Sequence, residues 1–124
     1  MNVVGSSSWL EYFADAPNAD FFAEAIENVE ELIVPVISIY EMFKRVYQQR
    51  GEGGVLQAVA LMEQGNGVEL DSPLALSAAK VSLDLKMPMA DSMILATARH
   101  YGATLWTQDA DFKEVDGIQY IEKN

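Results

Sequence analysis

Short apolar runs separated by longer stretches with helical periodicity make up most of this chain. Their length and apolar character predict β-strands. Because helical stretches separate most of these runs, the pattern predicts an α/β fold with a central, mostly parallel sheet that is flanked by helices on both faces. The predicted strands lie at residues 2–4, 31–36, 68–70, 103–107 and 118–121.

Capping and helix-stopping residues set the predicted helix ends. Ser38 and Glu41 have the spacing of a capping box, so a helix is predicted to begin at Ser38 and to end before Gly51. Asp71 before Pro73 predicts another helix start, with a capping residue ahead of a proline in the first turn. Further helices are predicted over residues 9–14, 17–28, 55–64 and 88–102.

The composition is that of an ordinary globular protein with a strongly acidic balance. The chain has 19 acidic and 8 basic residues, for a net charge of −11. This charge argues against tight, non-specific binding of nucleic acid, which needs lysine and arginine on the phosphates. An acidic protein can still act on RNA if a cation lies between its carboxylates and the phosphate, and it can equally favour a basic protein partner.

Length and composition also limit the architecture. We expect a single domain over residues 1–124, because a chain of this size buries roughly two-thirds of its unfolded surface. No apolar run approaches the ~18 residues that cross a bilayer, and the first ten residues lack the basic and apolar regions of a signal peptide. The chain has no cysteine, which excludes disulfides and thiolate metal sites. We therefore expect a cytoplasmic protein without membrane association.

Acidic residues follow the predicted strands or begin the helices near them. Glu41 comes after the second strand, and Asp91 lies early in the helix before the fourth. Asp109 and Asp111 follow that fourth strand directly. Ligand sites of parallel sheets lie at the carboxyl ends of the strands, so we expect these side chains at one edge. Clustered carboxylates repel one another, and Mg²⁺ or Mn²⁺ relieves that repulsion because both prefer oxygen ligands.

Each acid also has a purely structural interpretation. Asp91 shares the apolar stripe of its helix, yet a first-turn acid is also favoured by the helix dipole. Glu41 completes the capping box and precedes Lys44 and Arg45 at ion-pair spacing. Asp109 is suited to cap a turn. For each residue alone the structural interpretation is the better one, whereas the three together at one sheet edge favour a metal site.

Four segments of the chain resemble the PIN domain, in the same order and over essentially the whole length. They are NVVGSSSWLEYF from residue 2, SIYE from residue 38, ADSMILATA from residue 90 and LWTQDADF from residue 105. The resemblance implies a parallel sheet wrapped by helices, and it is to PIN proteins of the VapC toxin type. Such proteins are Mg²⁺-dependent endoribonucleases that cut cellular RNA, usually form homodimers and are silenced by a cognate antitoxin whose tail lies over the site.

The resemblance also implies roles for individual residues. Glu41, Asp91 and Asp109 match the catalytic metal ligands, with Asp111 as an additional acid beside them, and one or two Mg²⁺ (or Mn²⁺) ions are implied. Thr107 matches a polar position next to the site, where it would orient a ligand or a water.

Basic residues that could position RNA phosphates follow Glu41 on its predicted helix. Lys44, Arg45 and Arg50 are the candidates. A solvated helix face is the more common role for residues of this type, so the sequence leaves both roles open.

The chain departs from the family pattern at Gly5. The family has a metal-binding aspartate at this position, whereas glycine has no side-chain oxygen. The neighbouring Ser7 and Ser6 are the candidates for a supporting role, but a serine hydroxyl offers only a neutral oxygen. Three explanations are open: a deliberate substitution, because an active toxin is hard to produce in cells; a natural, inactive relative that still binds its partner; or partial replacement of the ligand by a serine or a water. The first is favoured, and we expect the chain to be inactive or nearly so.

Two other functions compete with that of a nuclease. A non-catalytic PIN-like module that binds an antitoxin or RNA is consistent with Gly5. A response-regulator receiver domain is also acidic, α/β and of similar length, but it needs an acidic pair after the first strand and a lysine after the last core strand. Here Gly5 and Ser6 follow the first strand, and Gln108 follows Thr107. The sequence therefore favours the binding module over the receiver domain as the alternative.

Overall fold

A five-stranded sheet forms the centre of the structure, a computed structural model that describes residues 1–123. All strand pairings are parallel, and the strand order is β3-β2-β1-β4-β5. This confirms the predicted α/β fold and its parallel sheet. The strands are β1 (Asn2–Val4), β2 (Leu32–Pro35), β3 (Asn66–Val68), β4 (Thr104–Thr107) and β5 (Ile118–Tyr120).

Helices connect the strands and cover both faces of the sheet. Two short 3₁₀ turns, Val29–Glu31 and Ala110–Phe112, precede β2 and follow β4. The helices are α1 (Ser6–Phe13), α2 (Ala19–Glu27), α3 (Val36–Met62), α4 (Ser72–Leu85) and α5 (Met89–His100).

The core has two layers because successive residues of a strand point to opposite faces of the sheet. Val3 belongs to a buried cluster with residues of α4 and α5, such as Leu95. Val4 belongs to a second cluster with residues of α1, α2 and α3, including Trp9 and Phe22. Phe22 is fully buried, so this part of α2 serves in packing.

The strand order places a crevice beside the first strand. The chain builds β1, β2 and β3 outward in one direction and then returns to place β4 on the other side of β1. In doubly wound sheets such a reversal leaves an opening at the carboxyl ends of the two strands that separate there, and ligands bind in it. The residues that follow β1 and β4 therefore meet at this opening.

The predicted capping box at the start of α3 is wrong. The helix begins at Val36 with Pro35 at the N-cap, so Ser38 lies inside the first turn rather than before it. Because the strand passes directly into the helix at Pro35, no room remains for a polar cap. The hydroxyl of Ser38 is buried without a hydrogen-bond partner among residues 1–123. Glu41 therefore does not complete a capping box with Ser38.

Gly51 interrupts α3 where the sequence predicted a helix end, whereas the helix resumes before residue 55 and includes Gly53 and Gly54. Gly51 has φ 71° and ψ −167°, a conformation that L-residues with side chains rarely adopt, and it separates two helical halves within Val36–Met62. The third strand was predicted two residues too late, since it pairs with β2 over Asn66–Val68. The predicted cap at Asp71 is confirmed by its side chain, which accepts a hydrogen bond from the Leu74 N–H at 2.9 Å.

One glycine is required for packing between β3 and β2. A Cβ at Gly65 would lie 2.9 Å from Val34 Cγ2 and 3.1 Å from the carbonyl oxygen of Leu32. We expect Gly65→Ala to lower the free energy of unfolding by about 1–3 kcal/mol, measured by chemical denaturation. The control is Gly53→Ala, a helical position whose Cβ would have no neighbour within 4 Å. Equal stability of the two variants would contradict this packing account.

No helix within residues 1–123 combines the length and the apolar character that crossing a bilayer requires.

Candidate metal centre

A cleft of about 450 Å³ opens at the carboxyl ends of β1 and β4. Residues from five separate stretches of sequence line it, and they include most of the side chains that the sequence singled out. The fold therefore brings together residues that are more than 100 positions apart in the chain. Among the lining residues are Gly5, Ser6, Ser7, Glu41, Asp91, Thr107 and Asp109.

Three carboxylates converge beside this cleft. One oxygen each from Asp91, Asp109 and Asp111 lies within 4.8 Å of the other two. Asp91 projects from the first turn of α5, and the other two come from the turn after β4. The donor set consists of oxygens alone, which suits Mg²⁺ or Mn²⁺ and does not suit zinc or copper. The carboxylates thus fit a hard divalent cation.

The loop after β4 is fixed by short-range hydrogen bonds. The buried Thr107 hydroxyl accepts the backbone N–H of Asp109 at 3.0 Å. Asp109 Oδ1 in turn accepts the N–H of Asp111 at 2.9 Å and so caps the 3₁₀ turn. The structural interpretation of Asp109 as a turn cap is therefore correct. It is compatible with metal binding because the second carboxylate oxygen takes no part in this cap.

Glu41 lies in the same cleft but outside the group of three oxygens that are mutually close. Its Oε1 accepts a hydrogen bond from the Ser6 hydroxyl at 2.5 Å. Of the two serines considered from the sequence, Ser6 thus contacts a carboxylate through its hydroxyl. Ser7 lines the cleft, and its backbone carbonyl accepts a hydrogen bond from Gln108.

Asp91 carries the clearest electrostatic signature of the cluster. Burial raises the pKa of its carboxyl to about 7, with further increases from the charge of Asp109, from a hydrogen bond with Asp111 and from the charge of Glu41. A carboxyl with this pKa lies among like charges, and no basic side chain in residues 1–123 forms an ion pair with it. A bound divalent cation would reverse this effect and favour the ionised form.

Gly5 sits at the N-cap of α1, between the ends of β1 and β4. Its backbone (φ −67°, ψ 158°) is extended, so nothing in the conformation requires glycine. A Cβ at this position would lie 3.1 Å from Thr107 Oγ1 and 3.4 Å from Thr107 Cβ. A side chain therefore fits if Thr107 moves by a few tenths of an ångström. It would extend from the end of β1, within the cleft that Asp91 and Asp109 also line.

The basic candidates separate according to their position. Arg45 lines the cleft, whereas Lys44 and Arg50 line other surface depressions. Within residues 1–123 the ion pairs expected between Glu41 and the basic residues after it are not formed. Lys123, which the sequence did not suggest, also lines the cleft, because the segment after β5 returns to its rim.

The sequence also missed a buried polar cluster in the wall of the cleft. Glu11 is 9% exposed and accepts hydrogen bonds from the Asn18 backbone N–H at 2.8 Å and from Gln108 Nε2 at 3.1 Å. One feature of the sequence could have indicated this cluster, namely an acidic residue between Leu10 and Tyr12 in an otherwise apolar stretch of α1. Such a position is costly for a charge unless donors surround it.

Comparison with known proteins places this fold in a family. The family model of the PIN domain matches residues 3–118. The chain belongs to the PIN domain family. A search of the curated proteins finds no sequence relative of this PIN-domain chain.

Solved structures share the complete fold at low sequence identity. A toxin-antitoxin complex from Klebsiella pneumoniae contains a chain with a TM-score of 0.81 and 17% identity, with 95% of each chain covered. The sarcin-ricin loop cleaving toxin VapC20 of Mycobacterium tuberculosis has a TM-score of 0.80 and 14% identity over 99% of this chain and 100% of that one. VapBC-1 from nontypeable Haemophilus influenzae has a TM-score of 0.72 and 18% identity, covering 98% and 96%. At these identities the likeness shows the fold.

Proposed function

We propose that this PIN-domain protein is a metal-dependent endoribonuclease toxin of the VapC type, impaired in its present form because Gly5 occupies the position of a metal-binding aspartate. The observation that carries the proposal is the convergence of Asp91, Asp109 and Asp111 at the crevice between β1 and β4. Glu41 in the same cleft supports it. The proposed substrate is RNA, and the proposed cofactor is Mg²⁺ or Mn²⁺.

Each side chain has a distinct part in the proposed chemistry. Asp91 and Asp109, with Asp111, would hold the cation, and Glu41 lines the same cleft as a further carboxylate. A bound cation of this kind polarises a phosphate oxygen and lowers the pKa of bound water. Thr107 keeps Asp109 in place through its backbone N–H.

The charges along the cleft support a role for the cation in substrate binding. The carboxylates alone repel an RNA phosphate, and the chain carries a net charge of −11. Arg45 and Lys123 are the basic side chains that line the cleft in residues 1–123. We assign to these two residues the contact with phosphates beside the scissile one, where they offset part of the repulsion.

The proposed partners are a cognate antitoxin and a second copy of the chain, in the cytoplasm. Support for an antitoxin comes from the fold neighbours, one of which was solved as a toxin-antitoxin complex and another of which belongs to the VapBC family of toxin-antitoxin systems. Support from the surface is an apolar face on α3, since exposed apolar patches mark protein-interaction sites. Its exposed side chains are Val36, Tyr40, Phe43, Tyr47 and Leu56.

Metal binding by the chain as it stands tests the proposal directly. We expect calorimetric titration with Mn²⁺ to detect a weak site, and Asp91→Asn or Asp109→Asn to weaken it by about tenfold or more. The matched control is Asp84→Asn, an exposed acid on α4 that does not line the cleft, which should leave the affinity unchanged. Equal effects of all three substitutions would mean that Mn²⁺ binds the acidic surface in general, and the proposed centre would be wrong.

The alternative function is a non-catalytic module that binds an antitoxin or RNA. Gly5 favours it, because the position at the end of β1 lacks a carboxylate while the rest of the fold is intact. The two proposals differ in whether Gly5→Asp restores RNA cleavage: the nuclease assignment predicts that it does, and the binding module predicts that it does not.

A further inference from the structure

A buried carboxylate in the wall of the cleft has no part in the chemistry assigned above. Glu11 is 9% exposed, lines the cleft from α1 and is surrounded by amide donors rather than cations. Within residues 1–123 no basic group lies within 4 Å of it. A buried charge without a counter-ion is costly, and the cost is offset only by donors that point at it. Packing alone therefore does not explain why a carboxylate lies at this buried position.

Hydrogen bonds connect this carboxylate to the loop that carries the metal-binding acids. Glu11 Oε1 accepts from Gln108 Nε2 at 3.1 Å, and Gln108 lies between β4 and Asp109. Gln108 is 3% exposed, and its Oε1 accepts from Asn18 Nδ2 at 3.0 Å. The backbone N–H of Asn18 donates to Glu11 Oε2 at 2.8 Å. Glu11, Gln108 and Asn18, the last through both its side chain and its backbone N–H, close a ring of hydrogen bonds in the wall of the cleft.

The same ring reaches the segment that carries the cleft lysine. Asn18 Nδ2 also donates to the carbonyl oxygen of Glu122 at 3.0 Å, and Lys123 is the next residue. A single buried unit thus contacts the loop before Asp109 and the backbone beside Lys123. Each oxygen of Glu11 accepts an N–H donor, so the contacts of Glu11 with the loop before Asp109 run through Gln108 and Asn18.

We propose that Glu11 is a positioning residue of the metal centre, which holds Gln108 and thereby sets the place of Asp109; this rests on the proposed function of the cleft. A carboxylate is suited to the task because it offers two acceptor oxygens to two donors. A glutamine at position 11 has one acceptor and one amino group, so one of the two N–H donors would face another donor. The loop would then lose one of its fixed contacts.

The test is Mn²⁺ affinity measured by calorimetry, together with the melting temperature in EDTA. We expect Glu11→Gln to weaken Mn²⁺ binding by about tenfold. In the double variant Glu11→Gln/Gln108→Glu the amide and the carboxylate exchange places, so that an N–H again meets a carboxylate oxygen between positions 11 and 108. Only the longer hydrogen bond from Gln108 Nε2 to the Ser7 carbonyl oxygen, at 3.4 Å, is lost. We expect this variant to recover most of the affinity, which a merely structural loss of stability would not predict.

The stability control lies at the other edge of the sheet. The Asn66 amide donates to the carbonyl oxygen of Leu32 at 3.0 Å and to that of Glu30 at 3.2 Å, far from the acids along the sheet order. We expect Asn66→Ala to lower the melting temperature and to leave the Mn²⁺ affinity unchanged. If Glu11→Gln does not fold, Gln108→Ala removes the same link from the other side and carries the same expectation of about tenfold weaker binding.

The results separate this inference from the proposed function. If Glu11→Gln binds Mn²⁺ as tightly as the parent, or if the exchanged pair recovers nothing, the positioning role is wrong even where the acids do bind the metal. If the parent chain binds no Mn²⁺, the proposed metal centre is wrong, and the positioning role of Glu11 is wrong with it. If Mn²⁺ binding responds as expected while an aspartate at position 5 yields no RNA cleavage, the positioning role holds and the nuclease assignment fails.

Discussion

Replacing Gly5 by aspartate is expected to produce Mg²⁺-dependent RNA cleavage at least 100-fold above that of the chain as it stands. The new carboxylate would extend from the end of β1 into the cleft that Asp91 and Asp109 also line. Loss of outer groups around a metal typically costs about 10–100-fold in affinity or activity, and a direct ligand should matter at least as much. The measurement is cleavage of a structured cellular RNA with Mg²⁺ and with EDTA, together with growth inhibition on expression.

Gly5→Asn is the matched control for this gain. It adds a side chain of the same shape at an N-cap position, where asparagine and aspartate serve equally well. Both variants meet the same close contact with Thr107 Oγ1. The two therefore differ in charge, and only the aspartate should restore cleavage. Should Gly5→Asp leave RNA intact and cells unharmed while the protein binds a partner, the nuclease assignment would give way to the binding module.

Replacing Asp91 by asparagine should abolish the restored activity and at the same time stabilise the metal-free protein. In the Gly5→Asp background we expect cleavage to fall by at least 100-fold, because one of three converging carboxylates is lost. In EDTA at pH 7 we expect the same change to raise the free energy of unfolding by roughly 1 kcal/mol, allowing for solvent at a half-exposed group. Function and stability thus oppose each other at this residue.

The sign of the stability effect follows from the direction of the pKa shift. The pKa of Asp91 is raised to about 7 in the folded protein from an ordinary value of 3.8. The folded state therefore holds the proton more tightly than the unfolded state, and this group lowers stability as the pH rises from about 4 to 7. The advantage of Asp91→Asn should be full above pH 7 and vanish below about pH 4.

Thermal unfolding in EDTA across this pH range measures the effect. Asp84→Asn, which removes an exposed carboxylate on α4, is the matched control for the loss of one charge. A stability gain for Asp91→Asn that is the same at pH 4 and pH 7 would mean that the raised pKa is not its cause. Added Mg²⁺ should reduce the gain, because the cation binds the parent site and stabilises the folded state.

The sequence and the structure disagree most informatively at Ser38 and Glu41. Their spacing matches a capping box, yet α3 begins at Val36 and Ser38 is buried inside it. The proline itself predicts that the strand ends near Pro35, and β2 does end there. The local pattern could not show that Pro35 is also the N-cap of α3, because that depends on how β2 pairs with its neighbours. Glu41 is instead held by Ser6, which is 35 residues away in the chain.

The polar ring around Glu11 was beyond the reach of sequence analysis for a similar reason. Gln108 and Glu11 are 97 residues apart, and neither belongs to a motif whose spacing indicates a contact. The lysine in the cleft is equally hidden, since only the return of the chain after β5 brings Lys123 to the rim.

The sequence by itself determined the α/β class, the parallel sheet and the acids that could bind a cation, because these depend on hydrophobic periodicity and on residue type within short segments. The tertiary structure alone decided which acids meet. Asp91, Asp109 and Asp111 converge, whereas Glu41 stands beside them in contact with Ser6. The physical reason is that distances between remote segments are set by strand order and by helix packing, which no local pattern encodes.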